Sequence, residues 1–164
     1  MNVGNFSNQF PTGDYARPNL FQVEIEGMDG KYTIKAASLP ATTVGMVEVP
    51  YLNRKIKVPG DRTFADFTIT VINDEGYLLR NDLLNWQSDI QGFNGFQANS
   101  DVVGSHKSIK VTPLNRDMTT SPDNAVDVYG WPTEIGSIDL SWETTDAVQE
   151  YTVTFAVSWD NSGV

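Results

Sequence analysis

The chain has 164 residues, enough for one domain with a real core, and its 40% hydrophobic and 11% aromatic content argues against disorder. The formal charge of −10 implies solubility and repulsion from nucleic acid, because nonspecific DNA binding needs Lys and Arg to neutralise phosphates and 11 of them stand against 21 acids. Cysteine is absent, so disulfides and thiolate chemistry are excluded and redox usage says nothing of the compartment.

Residues 1–19 read as an N-terminal arm of Gly, Asn, Ser and Pro, with Phe6, Phe10 and Tyr15 as anchors. Met1 to Thr12 lacks a basic and an apolar region, so no signal peptide is expected. No apolar run approaches the ~20 residues that span a bilayer. The expectation is a soluble protein kept in the cytoplasm of its producer.

Leu20 to Glu26 alternates, with Phe21, Val23 and Ile25 on one face, and Lys31 to Ala37 alternates again through Tyr32, Ile34 and Ala36. Gly27-Met28-Asp29-Gly30 between them is turn chemistry, so a β-hairpin is expected. Pro40 ends the second strand. From Val44 to Gly60 the chain reads as an extended arm: an alternation from Val44 to Val49, then the basic run Asn53 to Val58, closed by Pro59-Gly60. A strand signal follows in Phe64 to Ile72, with Phe67, Ile69 and Val71 opposite Asp66, Thr68 and Thr70.

At Asp74 the period lengthens, and Leu79, Leu83, Trp86 and Ile90 make one stripe of an amphipathic helix over 74–90. Asn73 is placed to cap it, with Asp74 and Glu75 in the first turn where the dipole favours them. Gly92 to Ser105 and Pro113 to Asn124 read as loops, His106 to Thr112 as a strand, and Ala125 to Trp131 as a short strand ended by Pro132. Ile138, Leu140 and Trp142 form one face of the next strand. In the last, Tyr151, Val153, Phe155, Val157 and Trp159 alternate with Thr152, Thr154, Ala156 and Ser158. The fold class is mainly β: an antiparallel β-sandwich or partial barrel with one packed α-helix, in a single domain over 1–164.

The sequence does not point to an enzyme, and no cofactor or metal is expected. His106 is the lone histidine, which leaves a Ser-His-Asp triad without support and a zinc site without ligands. Asn73-Asp74-Glu75 could face a hard cation, but helix capping accounts for it. No phosphate loop or dinucleotide fingerprint occurs. Four tryptophans could line a sugar platform, yet Trp86, Trp142 and Trp159 fall on apolar faces and read as core.

Charge is segregated instead. Arg54, Lys55, Lys57 and Arg62 lie within one short stretch, while beyond Arg116 there is no basic residue and acids run from Asp117 to Asp160. One reading is a solvated turn on an acidic protein. The other is head-to-tail association, the basic arm of one copy meeting an acidic face of the next, which yields rings or filaments. Thr68, Thr70, Thr152, Thr154 and Ser158, with Asp66 nearby, form polar strand faces whose residues include no Lys or Arg. Such a face is ordinary on a solvated sheet, and it also suits a wall past which a polyanion slides.

Several segments carry a resemblance. Gly13-Asp14-Tyr15-Ala16-Arg17-Pro18-Asn19-Leu20-Phe21-Gln22-Val23, Asn53-Arg54-Lys55-Ile56, Gly60-Asp61-Arg62-Thr63-Phe64, Asn73-Asp74-Glu75, Trp86-Gln87 and Trp131-Pro132 resemble, in order and spacing, the tail tube proteins of contractile-tailed bacteriophages of the T-even type. The resemblance implies a structural virion protein forming homohexameric rings stacked into the inner tail tube, with inner strands of six copies joined in one β-barrel. Closure removes exposed strand edges, and a barrel of that size leaves an aqueous channel.

It further implies a conduit for phage DNA during ejection, with DNA passing through without specific binding. The implied partners are self, the tail sheath protein, baseplate tube-initiating proteins, the tape measure protein and terminator proteins, with no membrane. The implied location is the virion tail inside the sheath, after assembly in the bacterial host cytoplasm. The family's stacking arm corresponds to roughly Val44 to Gly60, which makes Arg54, Lys55, Lys57 and Arg62 interface candidates and Asp66, Thr68, Thr70, Thr152 and Thr154 lumen candidates. Two alternatives stand beside it. One is the tube of a phage-derived or other contractile injection particle. The other is a carbohydrate-binding β-sandwich, which predicts exposed tryptophans and a stable monomer.

Overall fold

The computed structural model describes residues 15–30, 33–92 and 104–160. Expectations for residues 1–14, for Lys31 and Tyr32, and for most of the loop at 92–105 lie outside these. In chain order the elements are β1 (Phe21–Ile25), β2 (Ile34–Ser38), β3 (Thr42–Tyr51), β4 (Arg54–Phe64), β5 (Phe67–Ile72), α1 (Leu78–Ile90), β6 (Lys107–Pro113), a 3-10 turn at Pro122–Asn124, β7 (Val126–Ile135) and β8 (Glu150–Asp160).

Six strands form an antiparallel sheet in the order β1-β6-β7-β8-β5-β2, and β3 and β4 form a separate ribbon. The sheet curls until its edges, β1 and β2, approach each other, giving a nearly closed barrel. Alternation explains the core: β5 and β8 turn Phe67, Ile69, Val71, Tyr151, Val153 and Phe155 inward, and each is almost completely buried. Leu79, Leu83 and Trp86 of α1 join the same cluster, and Ile90 packs against it half-buried. The Trp86 and Phe67 rings each lie 6.0 Å from that of Phe155. Each of these side chains contributes about 1.5–3 kcal/mol by leaving water.

The first two strands do not pair as a hairpin. Val23 lies opposite Val111 of β6, and Ile34 lies opposite Val71 of β5. The reason is length: β2 begins only at Ile34, so the connection runs from Glu26 to Thr33 instead of closing in a tight turn. A bulge between Ile34 and Ala36 turns Ala36, expected on the inner face, outward opposite Thr70 and brings Ala37 against the core instead. Lys35, also outside, has its Nζ 2.7 Å from Glu150 Oε1.

The helix begins four residues later than its sequence signals suggest. Asn73 continues the sheet instead of capping, its N–H donating to the Gln149 carbonyl at 2.8 Å. Tyr77 in the left-handed region interrupts the chain, and Asp74 Oδ1 accepts from the Leu78 N–H at 3.1 Å. β7 runs on through Pro132, because the pairing slips between Pro132 and Glu134 and a bulge tolerates the missing N–H.

Two tryptophans expected in the core are elsewhere. The slip at Tyr129/Gly130 leaves Ser158 as an extra residue in β8, which rotates Trp159 outward beside Tyr129, 5.1 Å between ring centroids. Residues 136–149 form no strand, and Leu140 and Trp142 stand exposed on that loop. Inside, Tyr151 is buried with no hydrogen-bond partner for its hydroxyl among the described residues. Burial pushes its pKa up to about 12, against the opposing charge of Arg80, whose guanidinium sits 5.1 Å over the ring.

Candidate assembly surfaces

The registers define two ends of the barrel. Ser38, Phe67, Pro113 and Asp160 lie at one end; Ile34, Ile72, Lys107 and Glu150 lie at the other. The β3–β4 ribbon leaves after β2 and returns before β5, so it springs from the first end. The loop 136–149 joins β7 to β8 at the opposite end. Eleven residues of β8 separate the two ends, or about 33 Å at the usual strand rise.

The ribbon is held by its own ladder. Leu52 and Asn53 both have positive φ, 42° and 61°, as a type I′ hairpin turn requires. At the root a bulge between Val44 and Met46 brings Gly45 against Gly60, where a Cβ on Gly60 would sit 3.2 Å from the Gly45 backbone. Thr42 Oγ1 there lies 3.4 Å from Asp160 Oδ2.

Beyond the root the ribbon has two unlike faces, because opposed residues share a face. Val47/Val58, Val49/Ile56 and Tyr51/Arg54 make one face, and Glu48/Lys57 and Pro50/Lys55 make the other. Every residue from Thr42 to Pro59 is exposed, including Val47, Val49, Ile56 and Val58. An apolar face of that kind, rimmed by charge, marks a contact surface. Arg54, Lys55, Lys57 and Arg62 all lie on β4, but on both faces. Lys55 Nζ is 2.8 Å from Glu48 Oε2, an exposed ion pair worth little in water. Arg54, Lys57 and Arg62 make no ion pair with another described residue.

The opposite end is acidic. Glu134, Asp139, Glu143 and Asp146 are all exposed on or beside the loop 136–149. No Lys or Arg occurs in that segment.

The outer face of the sheet carries the hydroxyl rows. Thr68 lies opposite Thr154 and Thr70 opposite Thr152, with Ser38 and Ala36 extending the rows onto β2. Asp66 is exposed in the two-residue link before β5, outside the ladder. Lys35 brings a cation to this face, but Glu150 neutralises it.

His106 is no surface histidine: it is half-buried, 4.8 Å from Trp131 and 5.7 Å from Trp159 between ring centroids, with Nε2 2.8 Å from Ser158 Oγ. Among the described residues no His, Cys, Asp or Glu cluster could hold a metal. Sequence reasoning found the basic arm and missed its apolar face. The alternation from Val44 to Val49 was the available signal, and cross-strand partners were needed to extend it. Leu140 and Trp142 were also misplaced, as core.

A curled antiparallel sheet with one core helix and a projecting ribbon is a fold class shared with chains of contractile injection machines. The fold matches a chain of the sheath–tube complex of PVC, an extracellular contractile injection system, at a TM-score of 0.66 over 98% of this chain and 96% of that one, with 16% identity. A chain in the tube-terminating cap of the anti-feeding prophage superposes at a TM-score of 0.68, covering 94% of each chain at 17% identity. Within that class the chain belongs to the phage tail tube protein family, which it matches over residues 6–159. It is 38% identical to the tail tube protein gp19 of Enterobacteria phage T4 over 162 residues, 97% of this chain and 99% of that protein.

Proposed function

We propose that this tail tube protein assembles as homohexameric rings stacked into the inner tube of a contractile phage tail, through which DNA passes during ejection. The observation that carries the reading is the placement of unlike surfaces at opposite ends of one barrel. A ribbon with Arg54, Lys55 and Lys57 leaves one end, and a cation-free acidic loop occupies the other. Copies related head to tail then repeat the same contact indefinitely. The hydroxyl rows of Thr68, Thr70, Thr152 and Thr154, with Asp66 close by, are assigned to the lumen. Among the described residues the cation beside these rows, Lys35, is already paired with Glu150, so the rows offer no free positive charge to hold a phosphate and DNA slides.

The role is structural, without catalysis or cofactor. The sheath around the tube, baseplate proteins that start it, a tape measure protein within it and terminator proteins at its end are the remaining assigned partners, in a virion assembled in the host cytoplasm. Family membership displaces the carbohydrate-binding reading. The fold shared with PVC and the anti-feeding prophage supports a second one, the tube of an injection particle that carries an effector; nucleic acid in purified particles separates the two.

The test is reversal of the arm by Arg54→Glu, Lys55→Glu and Lys57→Glu. Circular dichroism should show an unchanged fold, and electron microscopy should show no long tubes, with the defect deepening as salt falls and like charges are less screened. Normal tubes at low salt would remove the basic arm from stacking.

A further inference from the structure

The segment Asp139–Glu143 contains a contradiction between sequence and structure. Leu140 and Trp142 alternate with Asp139, Ser141 and Glu143, the period of a half-buried strand. Yet all five residues are exposed and none lies in a strand, with Leu140 and Trp142 showing 73% and 103% of their surface. Among the described residues only weak local bonds hold the segment: Thr144 N–H to Ser141 O and Glu143 N–H to Ser141 Oγ, both at 3.3 Å. A strand pattern without a strand partner is a local signal awaiting its context.

The ribbon supplies the complementary vacancy. Among the described residues it has two strands only and none pairs with the outer edge of β4, and an unpaired strand edge is a template for another chain. We infer that Asp139–Glu143 of one copy adds as a third, antiparallel strand to the β4 edge of a second copy. The assigned register sets an acid opposite Lys57, which has no ion partner among the described residues, rather than opposite Lys55, which Glu48 already pairs. Leu140 falls opposite Ile56, Trp142 opposite Arg54, Asp139 opposite Lys57 and Ser141 opposite Lys55. Leu140 and Trp142 then extend the apolar face of Val47, Val49, Ile56 and Val58, with the Trp142 ring beside the Arg54 guanidinium, a favourable cation–π pairing. Asp139 extends the charged face toward Lys57. The partner must be another copy, because ribbon and loop stand at opposite ends of one barrel. β3 offers a poorer edge, since its charged residue is Glu48.

This assignment rests on the self-assembly proposed above, and the absence of native cysteine makes its test clean. Ser141→Cys protein is mixed with Lys55→Cys or with Ile56→Cys protein, assembled, oxidised with diamide and run on a denaturing gel. Neighbouring strands about 4.8 Å apart suit a disulfide, and alternation puts residue 56 on the other face. The 141–55 cross-link should therefore exceed 141–56 by about tenfold or more. Hydrogen exchange on the unaltered protein is the independent arm. The Asp139 and Ser141 amides, the alternate ones that face β4, should slow by about tenfold or more on assembly. Tubes visible by microscopy whose Asp139 and Ser141 amides exchange as in the free protein, or in which the two cross-links are equal, overturn the strand pairing and leave the tube reading standing. Protein that stays monomeric at every concentration overturns both.

Discussion

The barrel and the ribbon obey the same strand rules with opposite results. In β5, and in β8 as far as Phe155, every second residue is buried, while in β3 and β4 an equally regular alternation leaves Val47, Val49, Ile56 and Val58 in water. The difference is what each strand meets. The inward residues of β5 and β8 share one core with those of α1; beyond its root beside β8, the ribbon's strands meet only each other among the described residues. A side chain buried within the chain contributes to folding, and one left exposed on a ladder contributes to association, so substitutions in the two regions should separate stability from assembly.

The largest effect belongs to the barrel. Leu83→Asp places a carboxylate at a fully buried position, a cost of about 4–5 kcal/mol or more that leaves insoluble or protease-sensitive protein. Retention of the wild-type melting temperature would show that the helix does not close the core. Next is Gly130→Ala. A Cβ there would overlap the Ala156 carbonyl oxygen at the β7–β8 slip, and moving that backbone costs about 3 kcal/mol, to be read by denaturant unfolding. The ribbon gives the contrast: Val49→Ser with Ile56→Ser should shift stability by only about 0.5 kcal/mol, as exposed positions do. The same pair should stop tube growth in electron microscopy, and tubes of normal length would make the apolar face ornamental.

A pH dependence is confined to alkaline conditions. Tyr151 loses its proton near 10 when unfolded and near 12 when folded, so the unfolded chain binds fewer protons between those values. Stability therefore falls as pH rises from about 10 to about 12. Tyr151→Phe should flatten that decline in urea titrations without changing behaviour at neutral pH.

Much of the barrel was legible in the sequence because its burial is internal. The alternation of Phe67, Ile69 and Val71 and of Tyr151, Val153 and Phe155, with the stripe Leu79, Leu83 and Trp86, named most of the largest core residues. Misreadings gather where a one-residue slip or an absent neighbour decides. Trp159 keeps strand parity in the sequence, but the extra Ser158 turns it outward, and no local signal announces a bulge. The β1–β2 hairpin failed because adjacency in sequence stood in for pairing, whereas apolar partners on β6 and β5 set the registers. Asn73, Asp74 and Glu75 fit a cap, but the ladder to Gln149 claimed the first of them. The charged half of the ribbon was visible from composition; its apolar half needed the cross-strand register.

A subunit that displays its adhesive ribbon bare while carrying ten excess negative charges behaves as a charged colloid with a short-range sticky patch. Coulomb repulsion reaches about 8 Å into physiological saline, farther than the contact range of Val49 or Ile56, so two free copies are slowed before they can touch. In the proposed assembly a growing end differs in one respect: it presents several aligned patches at once, and many contacts form for a single approach. On that reading elongation is favoured over spontaneous nucleation. Raising salt thins the repulsive layer without weakening the apolar grip, which shortens the lag before unseeded assembly.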